Sequence, residues 1–458
     1  MAVETNNRTQ LPIADALKRW EALNNDRFCM PGHKGNGPLE GWLTPALDVT
    51  ELSVLDDLHH PEGVVLDSEE RVSRIFGAGR TLSLVNGASS GLKAVIMAHG
   101  RRGPVVIPRN GHRAVLEGLI LSGGQPEYVF PEEYDGMMVP AAPQAYEGRG
   151  KDHLLVMLAE SYEGFVRDYS GLETGSRILA DEAHGGHLRF LGCPSALDWA
   201  DYTVHGAHKT LGSLTQSGFL HLCRSQETAT IRRQLSLLVS TSPSWLMLAS
   251  LEEAAGWWEA FSDQEKWIQR SARLKERIDD LPGMRAVFDV GGSLSCDPFR
   301  LCVRLEQQAD GCILGQELRN HYGIELEMHS REVLVAILTP FDSADSWERL
   351  YQGLRELSCR YGLKDSFPQH TAGQLPLPQQ CMTPQQAHGA PAIRLDVGKA
   401  EGRISADIVA AYPPGIPLLY PGEEIGRDQV WMLRELLRSG SRIQGMVDEQ
   451  ILVVDESC

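Results

Sequence analysis

Lys209 lies in a turn of small residues, Tyr202-Thr203-Val204-His205-Gly206-Ala207-His208-Lys209-Thr210-Leu211. About one strand–helix unit earlier, Asp181 closes an apolar run in Ile178-Leu179-Ala180-Asp181-Glu182-Ala183-His184. A lone lysine is nearly always a solvated surface charge. Flanked by Gly206, Ala207 and His208 at a strand end, it is a better candidate for a desolvated amine of depressed pKa. An anion against a pyridine nitrogen and an amine that holds an aldehyde as a Schiff base are what pyridoxal phosphate requires. A buried carboxylate beside that cation keeps its charge and keeps the ring protonated. Two other readings of Asp181 to His184 compete. A helicase magnesium box needs a phosphate loop of the GxxxxGK[ST] type, and the chain has none. A metal site of Asp181, His184 and His187 uses common ligand types, but no further tight cluster completes it, so no metal is expected.

Three further stretches carry polar chemistry. Val85-Asn86-Gly87-Ala88-Ser89-Ser90-Gly91 follows an apolar run and precedes the helical pattern Leu92 to Ala98. Small residues there let backbone N–H groups and hydroxyls close around a phosphate at a helix N-terminus. Gly and Ser also fill any ordinary strand–helix turn. Pro108-Arg109-Asn110-Gly111-His112 ends the next strand, where a histidine could stack on a flat ring or be a satisfied loop residue. Asp56-Asp57-Leu58-His59-His60-Pro61-Glu62-Gly63 is a dense polar loop, read as a helix cap or an active-site loop rather than a metal site.

The elements that must hold these residues are legible as a pattern. Short β-type runs at Leu82–Val85, Val105–Ile107, Leu154–Leu158, Ile178–Ala180 and Phe219–Leu222 alternate with helical stretches. That alternation predicts a mostly parallel sheet covered on both faces, with ligands at the strand C-terminal ends, where the motifs fall. Leu11 to Leu23 reads as an N-terminal helix, residues 28–45 as a loop, and Trp245 to Ile278 as long helix with little interruption. Five segments follow: 1–50, a helix and loop; 51–285, the major domain; 286–365, a small α+β domain; 366–391, a linker rich in Pro and Gln; and 392–458, a C-terminal module. With 458 residues, 42% of them hydrophobic and 23% charged, the chain is an ordinary multidomain globular protein. Its net charge of −18 disfavours nucleic acid and anionic membranes as partners. No apolar run reaches the roughly 18 residues of a membrane span, and the N-terminus lacks a signal-peptide core. Nine scattered cysteines without a CxxC pair suit reduced thiols in a cytoplasmic protein.

Taken in order, these motifs resemble the bacterial ornithine/lysine/arginine decarboxylases of the aspartate-aminotransferase fold (fold type I). The resemblance runs from Pro31-Gly32-His33-Lys34-Gly35 through the stretches above, with Leu214-Thr215-Gln216, to Gly402-Arg403-Ile404-Ser405, Pro413-Pro414-Gly415 and Pro421-Gly422-Glu423. It implies an α/β major domain of the pyridoxal-phosphate transferase type with a smaller α+β C-terminal domain. It implies that Lys209 holds the cofactor, that Asp181 pairs with its ring nitrogen, and that His112 stacks on one face with Ala183 against the other. His184 would join them, Ala88, Ser89 and Ser90 would bind the phosphate, and His208 would be a proton donor beside the reacting carbon. The reaction implied is loss of carbon dioxide from arginine, lysine or ornithine, feeding polyamine metabolism. Which of the three is left open.

The chain departs from the family pattern where Gly206 and Ala207 replace Ser-Thr, and where Gly186 replaces an alanine. A serine at 206 would offer the phosphate a hydroxyl, so weaker cofactor binding is expected, and Gly206→Ser is expected to tighten it. The chain begins almost at the core, without the receiver-like domain of the long family members, so a homodimer or a small assembly of dimers is expected. The alternatives are an aminotransferase or carbon–sulfur lyase of the same fold, with Arg403 as the late arginine for a substrate carboxylate, or a non-catalytic regulator.

Overall fold

The computed structural model describes residues 11–23, 25, 27, 29–31, 33–34, 45–52, 55–224, 227–288, 290–343, 345–367, 378–412, 416–438 and 442–456. Met1 to Gln10, Gly32, Gly35, residues 368–377 of the expected linker and Pro413-Pro414-Gly415 lie outside them.

Seven strands build the central sheet: β1 (Arg80–Leu84), β2 (Val105–Pro108), β3 (Pro126–Val129), β4 (Leu154–Leu158), β5 (Arg177–Asp181), β6 (Tyr202–His205) and β7 (Gly218–Leu222). Their spatial order is β1-β7-β6-β5-β4-β2-β3. Neighbours from β6 to β3 pair in parallel. β7 runs antiparallel to both β6 and β1. The fold is thus α/β with a mostly parallel sheet, as the alternating pattern predicts. β3 escaped the sequence reading because it is an edge strand in which only Val129 is buried, so it carries no apolar run.

Helices α1 (Pro12–Ala22), α2 (Val64–Phe76), α3 (Gly87–His99), α4 (Arg113–Ser122) and the single turn α5 (Ala207–Thr210) surround or cap this sheet. α3 buries Leu92, Val95 and Ile96 against the sheet and α4. Each such side chain contributes about 1.5–3 kcal/mol. Its entry is a tight turn. Gly87 sits at φ 75°, a conformation costly for any residue with a Cβ, and its N–H donates to the Gln216 carbonyl at 2.7 Å. The polar loop before α2 is a cap: the Asp56 carboxylate accepts from the N–H groups of Asp57, Glu62, Gly63 and Val65.

The expected long helix is two, α6 (Trp245–Glu259) and α7 (Gln264–Asp279). Ser262 and Asp263 fall at the break, where their side chains compete with helical backbone bonds. Beyond it, β8 (Met284–Ala286), β9 (Arg300–Leu305), β10 (Met328–His329) and β11 (Val333–Ile337) form an antiparallel sheet in the order β8-β9-β11-β10. α7, α8 (Gly311–Tyr322) and α9 (Ser346–Tyr361) supply the apolar residues that cover it. Within the expected linker, Pro384–Gly389 is helical. Thr383 and Gln386 form a reciprocal capping box there, with proline at the first turn. The last segment, from Ala392 to Val454, folds two small antiparallel sheets and a helix around Val409, Leu419, Leu433 and Ile451. Among the described residues, no helix is long and apolar enough to cross a membrane.

Candidate active site

Parallel strands deliver their C-terminal ends to one side of a sheet, and the polar motifs follow those ends. Asp181 is the last residue of β5. Glu160 to Glu163 follow β4, Asn110 and His112 follow β2, and Lys209 rides on α5 after β6. Gly87, Ala88 and Ser89 open α3 after β1. All of these border a single cavity of about 480 Å³. Ala183, His184 and His208 line it too, and Glu327 and Ile337 reach it from the second sheet.

Each predicted site residue has a definite place. Asp181 is buried and accepts the Ala183 N–H at 3.2 Å. His112 caps α4, its Nδ1 accepting the Ala114 N–H at 3.1 Å. Its neutral ring therefore carries the proton on Nε2. Burial holds its pKa below the ordinary histidine value against the opposing charge of Asp181. His208 Nδ1 donates to the Ser217 carbonyl at 2.9 Å. Its Nε2 is then a base in the neutral ring and must take up a proton before it can donate one. Burial lowers the Lys209 pKa, with Asp181 pulling the other way and Arg300 adding to the depression.

Other residues named from the sequence sit elsewhere. Ser90 does not border the cavity: its hydroxyl donates to the Gly87 carbonyl at 2.7 Å and serves the turn. His187 points away from Asp181 and His184. It meets Asp297 at 2.9 Å and stacks on Phe299 at 5.4 Å. Among the described residues no three His, Cys, Asp or Glu side chains stand close enough to hold a metal ion. Arg403 binds the Val454 carbonyl and Glu456 in the C-terminal segment, so it does not face the cavity. At Gly206 the expected remedy fails on space. A Cβ there would stand 2.9 Å from the Ala183 carbonyl oxygen, which already accepts the Gly206 N–H at 3.0 Å. A serine there requires the backbone to shift.

Glu182, next to Asp181, belongs to the scaffold. Its carboxylate accepts from Ser195 Oγ at 3.0 Å, from the Ala196 N–H at 2.8 Å and from His205 Nε2 at 2.7 Å. His205 Nδ1 meets His221 Nε2 at 3.1 Å, and His221 Nδ1 meets Thr81 Oγ1 at 2.9 Å. This chain runs across β5, β6, β7 and β1 and ties them together side chain to side chain.

Sequence reasoning missed Glu160, Tyr162, Glu163, Glu327 and Arg300. The first three follow a recognised parallel strand, which was signal enough to find them. Arg300 opens β9, and no motif marks it. Its side chain is 1% exposed and its Nη2 lies 3.0 Å from His184 Nδ1 and 3.4 Å from Glu160 Oε1. On the other side of the same ring, His184 Nε2 lies 2.8 Å from Lys209 Nζ.

Comparison with known proteins identifies the family. The major domain of Orn/Lys/Arg decarboxylases matches residues 11–293, and the C-terminal domain of the same family matches residues 368–447. The arginine decarboxylase of Bacillus subtilis (strain 168) is 28% identical over 476 residues, covering 97% of each chain. The uncharacterized protein YaaO of the same organism is 30% identical, covering 97% of this chain and 98% of its own. Among solved structures, the lysine decarboxylase LdcF of Francisella novicida superposes with a TM-score of 0.84 at 17% identity, covering 98% of this chain and 82% of that one. The chain belongs to the Orn/Lys/Arg decarboxylase family.

Proposed function

We propose that this member of the Orn/Lys/Arg decarboxylase family removes carbon dioxide from a basic amino acid, using pyridoxal phosphate held in the cavity around Lys209. The observation that carries the reading is that Lys209, Asp181, His112 and the N-terminus of α3 border the same cavity. The donor set fits the cofactor: an amine for the aldehyde, a buried anion for the ring nitrogen, a flat His112 ring, and helix N–H groups for a phosphate dianion. When bound, the cofactor supplies an electron sink for the pair left behind as carbon dioxide departs.

This chain's own residues do the rest. Asp181 would keep the ring nitrogen protonated. His112 and Ala183 would hold the ring. Gly87, Ala88 and Ser89 would hold the phosphate without Ser90. Replacing the lost carboxylate takes one proton at the substrate α-carbon, and His208 Nε2 or Lys209 Nζ delivers it. Glu163 and Glu327 border the cavity and offer negative charge to the cationic end of the substrate, with Tyr162 Oη bonded to Glu327. The product amine would enter polyamine or diamine metabolism, in the cytoplasm, from a homodimer or a small assembly of dimers.

The test is carbon dioxide release from arginine, lysine and ornithine by protein supplied with pyridoxal phosphate, alongside borohydride reduction to identify the residue that holds the cofactor. Release from one of the three, with the added mass on Lys209, is expected. A keto acid formed without carbon dioxide would assign an aminotransferase instead, and a labelled but inert protein a non-catalytic relative.

A further inference from the structure

The contacts on His184 fix where its proton sits. Arg300 Nη2 lies 3.0 Å from His184 Nδ1, and a guanidinium has donors and no acceptor. Nδ1 must therefore be the bare, accepting nitrogen. A neutral imidazole carries one proton, which leaves it on Nε2. That nitrogen lies 2.8 Å from Lys209 Nζ. An ammonium has three donors and no lone pair, so two N–H groups would face each other at that distance if Lys209 were protonated. The geometry is consistent only with a neutral amine that accepts the His184 Nε2–H.

We propose that Arg300 and His184 form a positioning relay that sets the histidine tautomer and thereby holds Lys209 as a free amine, ready to condense with an aldehyde. The inference deepens the reading above and rests on it in taking Lys209 as the residue that receives the cofactor. In the condensation, the Nζ lone pair attacks the aldehyde carbon and a C=N bond forms. The two amine protons leave with the aldehyde oxygen as water. An ammonium cannot take this step until a base removes its proton.

The surroundings hold the relay in place. Arg300 packs against Gly164, whose φ of 94° and closeness to the Arg300 stem exclude a side chain there. Among the described residues Arg300 Nε and Nη1 have no hydrogen-bond partner, so Nη2 carries the directed contacts. Its charge is answered by Asp297. Burial of that carboxyl is outweighed by its bond to His187 and by the Arg300 charge, which bring it down to about 2. The neighbouring Glu160 carboxyl is pushed well above the ordinary range by burial and by Asp297. Burial above all, and the Arg300 charge, oppose a charge on the His184 ring. Around Lys209, burial and Arg300 disfavour the ammonium, while Asp181 and Glu327 favour it.

The test uses full-length protein freed of cofactor and reads Lys209 directly. Reductive methylation with formaldehyde and borohydride, followed by peptide mass analysis across pH, gives the apparent pKa of Nζ without any need for turnover. Wild-type Lys209 should titrate below the ordinary lysine value of about 10.4. His184→Phe removes the Nε2–H donor and leaves the Arg300 charge. The relay requires Lys209 to rise by at least about one unit, roughly tenfold less free amine at a given pH. If burial alone sets the amine, the apolar ring leaves the value unchanged or lowers it, and the proposal is wrong. A measurement on unmutated backbone guards against misfolding. Nitrogen-15 histidine NMR should find the Nε2–H tautomer for His184 in wild type and the Nδ1–H tautomer in Arg300→Leu. A wild-type ring protonated on Nδ1 overturns the relay. Lys209 that takes formaldehyde as described, in a protein that releases no carbon dioxide, would sink the decarboxylase reading and leave this one standing.

Discussion

The Arg109 guanidinium lies 3.8 Å over the ring of Tyr420 and is bonded to Glu423, which is fully buried. Tyr420 in turn donates its hydroxyl to the Arg109 carbonyl at 3.1 Å, and Glu423 accepts the Tyr420 N–H at 2.9 Å. Arg109 directly precedes Asn110 on the loop that carries His112 to the cavity. The C-terminal segment therefore clamps the His112 loop through one cation and one anion. Removing one partner of a buried pair costs about 3–5 kcal/mol, because the other charge is left without compensation. Arg109→Ala should lower stability by that order in urea unfolding and weaken pyridoxal phosphate binding with it. An unchanged midpoint and unchanged affinity would mean that the clamp holds nothing.

Lys209→Ala should abolish the borohydride-fixable adduct with pyridoxal phosphate, while the cavity still binds the cofactor weakly and reversibly. Mass analysis of the reduced protein decides it. An adduct retained at the same cavity on another residue would refute the assignment of Lys209.

Asp181→Asn keeps the shape at the end of β5 and removes the charge. Turnover should fall at least ~100-fold, about 2.7 kcal/mol of barrier, with little change in thermal stability. Decarboxylation at a near-normal rate would show that the ring nitrogen needs no anion from this residue.

Acid should destabilise the fold through its buried histidines. Burial lowers His99 to about 4, outweighing the opposing pull of Glu227, and pushes His221 well below the ordinary value. A base whose folded pKa lies below its unfolded one, about 6.5, binds more protons when unfolded. Its contribution is complete above the unfolded pKa and is lost as pH falls from there toward the folded value. His99 alone should remove roughly 2 kcal/mol between pH 7.5 and pH 5. Urea midpoints at the two pH values test this, and His99→Gln should flatten the difference. Stability that holds constant over the range would contradict it.

Gly206→Ser should lower stability by about 1–3 kcal/mol, the usual penalty for forcing atoms into a filled site. It should also fail to tighten cofactor binding. Tighter binding in an equally stable variant would mean that the backbone yields to the serine after all.

Much of this site could be read from the chain, because its parts are local. Asp181 ends an apolar strand, Lys209 and His112 each follow one, and the fold brings the ends of parallel strands to one side whatever the details. Gly87, Ala88 and Ser89 announce a helix start by their size. Composition and strand–helix alternation were enough for the architecture. The tertiary structure alone decided what depends on distance along the chain. Ser90, one residue beyond Ser89, turns its hydroxyl back onto Gly87, since a helical step of about 100° separates neighbours. Gly206 looks like a missing hydroxyl in sequence, but in space it is where the chain passes against the Ala183 carbonyl. Arg300 stands 116 residues after His184, on a different sheet, with no pattern around it. Only the packing of that sheet against the strand ends brings its guanidinium to the ring. The protonation of Lys209 follows from that contact, because a hydrogen bond requires one donor and one acceptor, and arginine can be only the donor.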